Sequence, residues 1–346
     1  MNVTEILFEL FIIVIAVVAL FSNVSVLLCF VQSADIRSHV PGILVLNLSF
    51  SNILLTFINM PATFIGIAKR ENPFGDVYCQ AVSFAETFLT TNGMLSMAAL
   101  SVDRWIAVVF PLSYSTKMGP RKAFLIVAYS WLHAAAFSLS ELLMSWGGYS
   151  PTYASCTLHY GGKRDGSSVG QSQYVAFATF TAVLHCTGFV LCLTVMSLAY
   201  LKVLRVARFH CKRIDVITVQ TLLLLVDIHP SVKERCLVEQ RKRSQRATKK
   251  ICLFIGSFIV CFAPYVITRI MQLAPHVHIH RYWGITTKCL TYAKAASDPF
   301  VYSLLRQQYR KVLVSITHRI LRRDRYSFSN NSTSSMTDMD GISRVP

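Results

Sequence analysis

Glu86, Arg269, Lys288, Lys294 and Asp298 stand inside stretches that are otherwise strongly apolar. A charge in such surroundings must find an opposite charge, give up its ionised form, or hold a ligand. Lys294 and Asp298 are four residues apart, one turn of helix on the same face. They can pair, or Lys294 can face elsewhere. Glu86 has three readings: an internal ion pair with Lys288 or Arg269, a counter-ion for a cationic ligand, or a protonated spectator. Phe262, Trp283 and Tyr292 are candidates for the wall of such a site, with plain packing as the alternative. A third charged constellation, Asp103-Arg104, closes an apolar run. The bond-making arrangements are missing: there is no His-Glu-x-x-His metal motif and no clustered acid dyad in the apolar runs. The chemistry on offer is charge pairing, binding and switching, without catalysis and without an implied cofactor or metal.

The elements that must position these groups are membrane helices. The chain has 346 residues, of which 53% are hydrophobic and only 15% charged. Soluble domains carry about 25% charged residues, and a disordered chain lacks this much apolar surface. A hydrocarbon core of ~30 Å needs about 20 mostly apolar residues per helix. Runs of this kind fall at Ile6–Val31, Ile43–Ala68, Ala81–Val109, Ala123–Trp146, Tyr174–Leu201, Ile251–Leu273 and Ile285–Leu305. The expected fold is an all-α membrane bundle of seven spans over residues 6–305. Residues 1–5 precede it, a long inner loop occupies about 202–250, an amphipathic helix lies along the membrane over 306–323, and a disordered tail covers 324–346. Val216–Val226 is too short to span and reads as a separate helix buried on lipid, in the inner mouth, or on a partner.

The net charge of +17 is a direction signal, not a nucleic-acid signal. With the N-terminus outside, 26 of the 34 Lys and Arg fall on the inner side and five outside. Positive charge stays on the cytoplasmic side during insertion, so this is the expected orientation. Asn2-Val-Thr4 is then an outer glycosylation sequon close to the membrane. No cleavable signal peptide is evident, since the first apolar run is too long and lacks a basic leader. Of the ten cysteines, only Cys79 and Cys156 fall on the oxidising side outside apolar helices. A disulfide between them would pin the loop after span four over the bundle mouth; the alternative is two free thiols.

Five separated signals coincide on these spans: Asn23 in the first, Asp103-Arg104-Trp105 ending the third, Trp131 in the fourth, Cys261-Phe-Ala-Pro264 in the sixth, and Asp298-Pro299-Phe-Val-Tyr302 closing the seventh. Together they resemble the rhodopsin-like G-protein-coupled receptors from about residue 6 to 322. The finer text resembles an orphan branch of that family. The branch implies high basal activity through the stimulatory G protein, raising cyclic AMP, with no agreed ligand. The resemblance makes Arg104 the switch that pairs with Asp103 or reaches into the bundle. It makes Phe262 and Pro264 part of a hinge in span six, with a passive kink as the alternative. Tyr200 and Tyr302 match tyrosines that turn inward in the active state. Leu112 matches the residue that enters a slot on the G-protein α subunit, with Arg243, Lys249 and Lys250 as basic contacts to that subunit or to anionic lipid. Arrestin and receptor kinases are implied partners, with the Ser/Thr-rich stretch 327–335 as a kinase substrate. Glu86 stands where aminergic receptors keep their amine-binding acid, which supplies the alternative function.

The departures from the family pattern are informative. Asn52 replaces the usual span-two aspartate, while Asp298 replaces the usual span-seven asparagine. Gly93 removes a further ligand of the family's sodium ion. The expectation is that the Lys294 ammonium substitutes for that ion. Ser244 occupies the place of the glutamate that often clamps the span-three arginine, so the closed state loses an ion pair. Span five lacks its usual proline and has Cys192 there. A transporter would instead show internal repeats and helices interrupted at midplane, and neither is evident.

Overall fold

In the computed structural model, described for residues 3–70, 75–162, 168–224, 230–274, 277–304 and 306–319, seven long helices form one bundle. Span one is Val3–Gln32, span two Val40–Lys69, span three Asp76–Val109 and span four Pro120–Leu143. Span five runs Ser168–His185, passes through a π turn at Cys186–Val190 and continues as Leu191–Leu224. Span six is Pro230–Met271, and span seven is Arg281–Pro299 followed by a π turn, Phe300–Leu304. A further helix occupies 307–319. A hairpin of β1 (Gly147–Ser150) and β2 (Ser155–Leu158) joins spans four and five at one end.

Two sequence expectations are corrected by the helix lengths. The loop expected over 202–250 is mostly helix, because spans five and six both run on well past the apolar core. Val216–Leu224 is a continuation of span five, not a separate helix. The reason is local: no glycine or proline lies between Gly188 and Pro230, or between Pro230 and Gly256, so nothing stops either helix. Pro230 sits at the first helical position, where its missing N–H is no loss. The remainder of the apolar run, Leu225 and Val226, lies outside the described residues. Span one also begins earlier than its apolar run, at Val3, and the helix expected over 306–323 is described as 307–319.

The interior is layered along the bundle axis. One apolar cluster fills the half that carries Arg104, including Leu44, Met97, Leu100, Phe254, Phe258 and Tyr302. Another fills the opposite half around Ile12, Ile67, Leu89, Ile285 and Tyr292. Between spans two, three and four runs a buried polar network. Asn47 donates to Ser96 (2.8 Å) and accepts from the Trp131 indole (2.7 Å), while Asn92 donates to Ser51 and accepts from Ser130, both at 2.7 Å. Buried amides satisfied this fully fix the register of three helices.

Pro299 shows how a helix breaker is accommodated. Lacking an N–H, it leaves the Ala295 carbonyl, four residues earlier, without its helical donor. The Asn23 side-chain amide supplies that bond from span one at 3.0 Å. In span five the π turn around Gly188 provides the helical irregularity that a proline would otherwise give.

Candidate functional site

The hairpin and the disulfide build one end of the bundle. Cys79, at the start of span three, is bonded to Cys156 in β2, with their Cα atoms 5.1 Å apart. Every residue of β2 is buried, and Tyr153 and Ala154, in the turn before it, are fully so. Two helix glycines make this seat possible. A Cβ on Gly66 of span two would lie 2.2 Å from the Ala154 carbonyl oxygen, and one on Gly284 of span seven 2.2 Å from that of Thr152. The hairpin therefore lies directly on the backbones of two helices.

Beneath it lie the charged residues. Lys288 forms an ion pair with Glu86 across spans seven and three, with the Lys288 side chain fully buried. The Tyr265 hydroxyl also donates to Glu86, at 3.4 Å. Arg269 donates to the Leu158 carbonyl of β2. Its guanidinium lies 5.3 Å from the Tyr153 ring and 6.0 Å from the Tyr265 ring. Glu86, Thr157, His185, Tyr265 and Arg269 share a small cavity of 50 Å3. Of the ligand-site residues expected from sequence, Glu86 and Arg269 reach this cavity. Lys288 stands behind Glu86, away from the cavity lining. Tyr292 does not line it either: its hydroxyl bonds Thr63 at 2.7 Å in the packed core. Trp283 is half exposed and donates to Thr268 at 3.0 Å, so it is not a wall residue. Phe262 packs on Phe258 (5.2 Å), itself stacked on Phe189, within the apolar core.

Sequence reasoning missed Glu141, the only acid in the fourth apolar run. It is buried, and one of its carboxylate oxygens accepts from the Ser83 hydroxyl while the other has no hydrogen-bond partner. Glu5, paired with Arg70 at 2.8 Å, was missed because it precedes the apolar run. For Glu141 the available signal was a lone acid within a span, and for Glu5 an acid beside one, four residues before Glu9.

At midplane Lys294 is paired with Asp298 within one turn of span seven, and both are buried. The second Asp298 oxygen accepts from Asn52 at 3.2 Å, and Asn52 also donates to Asn23 at 3.3 Å. Asn52, Lys294 and Asp298, three of the positions expected to replace the ion site, therefore meet. Gly93 does not join them; its nearest neighbour in line with a Cβ is Leu48, at 3.8 Å.

At the other end, Asp103 accepts from the Tyr114 hydroxyl at 2.6 Å. Burial, then the bond to Asp103, pushes the Tyr114 hydroxyl well above its ordinary pKa, so it remains the donor. Arg104 lies 3.9 Å from the other Asp103 oxygen, and its Nε and one terminal nitrogen have no hydrogen-bond partner. Tyr200 and Tyr302 both pack against Phe254, at 4.9 and 4.5 Å. These residues and Arg104 line an open cavity of 280 Å3 with Ile251 and Arg306. Leu112 is almost wholly exposed in the turn after span three, and Lys249 is exposed on span six. Arg243 and Lys250 are on the span-six helix, with side chains outside the described residues, as is that of Ser244; Asn2 also lies outside them.

The bundle of seven long helices carries these motifs on the expected spans. The model of the family described as "7 transmembrane receptor (rhodopsin family)" matches residues 22–302. The chain belongs to the rhodopsin family of seven-transmembrane receptors. It is 56% identical to human G-protein coupled receptor 26 over 306 residues, 88% of each chain. It is 46% identical to human G-protein coupled receptor 78 over 311 residues, 90% of this chain and 84% of the relative. The more distant Melanopsin-B of Gadus morhua is 24% identical over 308 residues, 88% of this chain and 46% of its own. Membership makes this a multi-pass membrane receptor that works with a G protein, and not an enzyme. Unlike a retinal-binding opsin, it has Tyr292 seven residues before Pro299, where an opsin has its lysine.

Proposed function

We propose that this receptor signals without an agonist through the stimulatory G protein and raises cyclic AMP. Its N-terminus is outside the cell membrane and its Arg104 end faces the cytosol. The observation that carries this reading is the loose hold on Arg104. Asp103 spends its short contact on Tyr114, while Arg104 sits at 3.9 Å with donors unpaired beside an open cavity. Holding the arginine in the closed position is worth ~1–3 kcal/mol in coupling terms, and 1.4 kcal/mol is about tenfold in the active fraction. The Lys294–Asp298 pair supports the same direction, because a tethered ammonium leaves no need for a sodium ion that favours the closed state. The distribution of Lys and Arg and the disulfide support the orientation.

On this reading Leu112, Arg104, Arg243, Lys249 and Lys250 meet the α subunit, and residues 327–335 are the substrate for receptor kinases before arrestin binds. The test is basal cyclic AMP from the receptor and from Arg104→Ala at matched surface expression. A clear fall in the variant is expected, and equal values would refute the proposal. A second reading, a cationic ligand held by Glu86, has one observation for it: Glu86 Oε2 has no hydrogen-bond partner. The Lys288 ammonium already neutralises that carboxylate.

A further inference from the structure

A second, larger cavity of 510 Å3 lies between the hairpin and the outer ends of spans five and six. Its size falls in the range of small-molecule sites. Tyr160, Tyr174, Phe177 and Leu273 give it one apolar, largely aromatic side, the rest of the lining is mostly polar, and it reaches the surface at the exposed His278. Arg269 lines both this cavity and the smaller one beneath, and is itself 5% exposed.

Arg269 makes no direct ion pair among the described residues. Glu86 is committed to Lys288, and Glu141 accepts from Ser83. Among the described residues no carboxylate lies within 4 Å of the Arg269 guanidinium. It donates to a backbone carbonyl and lies against Tyr153 and Tyr265, both uncharged, and its Nε has no hydrogen-bond partner. A buried guanidinium without a directly paired carboxylate is costly, and its planar fork matches one. His159 lines the same cavity; burial, then the Arg269 charge, holds its imidazole below the ordinary range, so it stays neutral and can donate one hydrogen bond.

We infer that this outer cavity is a binding site for an organic anion with a flat apolar body, such as an aryl carboxylate, held by Arg269. The sign is opposite to the one that Glu86 alone suggests, because Lys288 has already cancelled Glu86. The aromatic wall takes the ring, Arg269 takes the carboxylate, and the polar rim at Gln272 and His278 faces water.

The test uses the purified full-length receptor in detergent and three compounds with one body and three charges: indole-3-acetate, indole-3-acetamide and tryptamine, each at the same millimolar concentration and ionic strength. Thermal unfolding is followed. Indole-3-acetate alone is expected to raise the midpoint, by about 2 °C or more. The shift is expected to vanish in Arg269→Gln. Should that variant fail to fold, Gln272→Glu decides alone. Gln272 Oε1 already accepts from the Tyr153 hydroxyl at 2.9 Å, and glutamate preserves that acceptor while placing a negative charge in the cavity. No shift with indole-3-acetate, an equal shift with the amide or the amine, or a shift surviving in Gln272→Glu would each overturn the inference. The readout involves no G protein, so its failure is separable from failure of the signalling proposal.

Discussion

The two ends of this bundle are built on opposite plans. At the hairpin end, contacts run between distant parts of the chain: a disulfide joins span three to β2, Glu86 pairs with Lys288 across two spans, and two glycines seat the turn on helix backbones. Immediately around Arg104 the polar contacts are short in sequence or incomplete, and the long-range ones at that end, Gln308 to Asp35 and Arg319 to Gln32, are exposed and 3.4 Å long. Asp103 takes Tyr114, eleven residues on, and Arg104 is loosely held beside an open cavity. The midplane pair is also local, both partners lying on one turn of span seven. One end fixes a single arrangement of helices, while the other leaves its key arginine available. Perturbations at the hairpin end should therefore register as stability and yield, and perturbations at the Arg104 end as signalling.

The largest effect is expected from the interhelical ion pair. Glu86→Gln or Lys288→Gln leaves a buried charge unpaired, which costs about 3–5 kcal/mol. Each variant should lose much of its surface yield, and the double variant should be milder than the sum of the two. Surface counts of the two singles and the double check this, and strictly additive losses would mean the residues act independently. The hairpin seat comes next. Gly284→Ala and Gly66→Ala each force a methyl group to within 2.2 Å of a loop carbonyl oxygen. Displacing packed backbone in this way costs about 1–3 kcal/mol, visible as a lower unfolding midpoint of the purified receptor. An unchanged midpoint in both would mean that the hairpin is not rigidly seated.

At the Arg104 end the expected changes are smaller in stability and show in signalling. Tyr114→Phe removes the short bond to Asp103, freeing that carboxylate to draw in Arg104. A hydrogen bond to a charged group is worth about 1.5–3 kcal/mol. Basal cyclic AMP per surface receptor should fall severalfold while yield stays level; a loss of yield with unchanged signalling per receptor would blur the contrast between the two ends. The smallest effect is expected at the midplane. Replacing sodium with a matched salt should leave basal activation of the wild-type receptor in membranes unchanged, whereas Lys294→Ala should gain a sodium-dependent decrease. A sodium response already present in the wild type would mean that Lys294 does not substitute for the ion.

Much of the bundle was legible in the sequence because apolar length and charge placement speak directly about membrane helices. The Lys294–Asp298 pair was legible from its four-residue spacing, and Lys288 from being a cation on a span able to face Glu86. What could not be read depends on packing. Nothing in the spacing of Tyr292 separates a cavity wall from a hydroxyl turned toward Thr63 in the core. The seats at Gly66 and Gly284 exist only once the hairpin is placed over them. The long extensions of spans five and six were hidden by their polarity. A search for apolar runs ends each helix where the membrane ends, while the described helix of span five continues to Leu224 and that of span six begins at Pro230.

On the proposed function the receptor activates the stimulatory G protein with no ligand present, through Arg104. The most direct test is reconstitution of purified receptor with purified stimulatory heterotrimer in lipid nanodiscs, following uptake of a non-hydrolysable GTP analogue without any added ligand. Uptake is expected severalfold above that of receptor-free discs, reduced to their level by Arg104→Ala. Uptake by the wild-type receptor no faster than in receptor-free discs, or undiminished by Arg104→Ala, would contradict it.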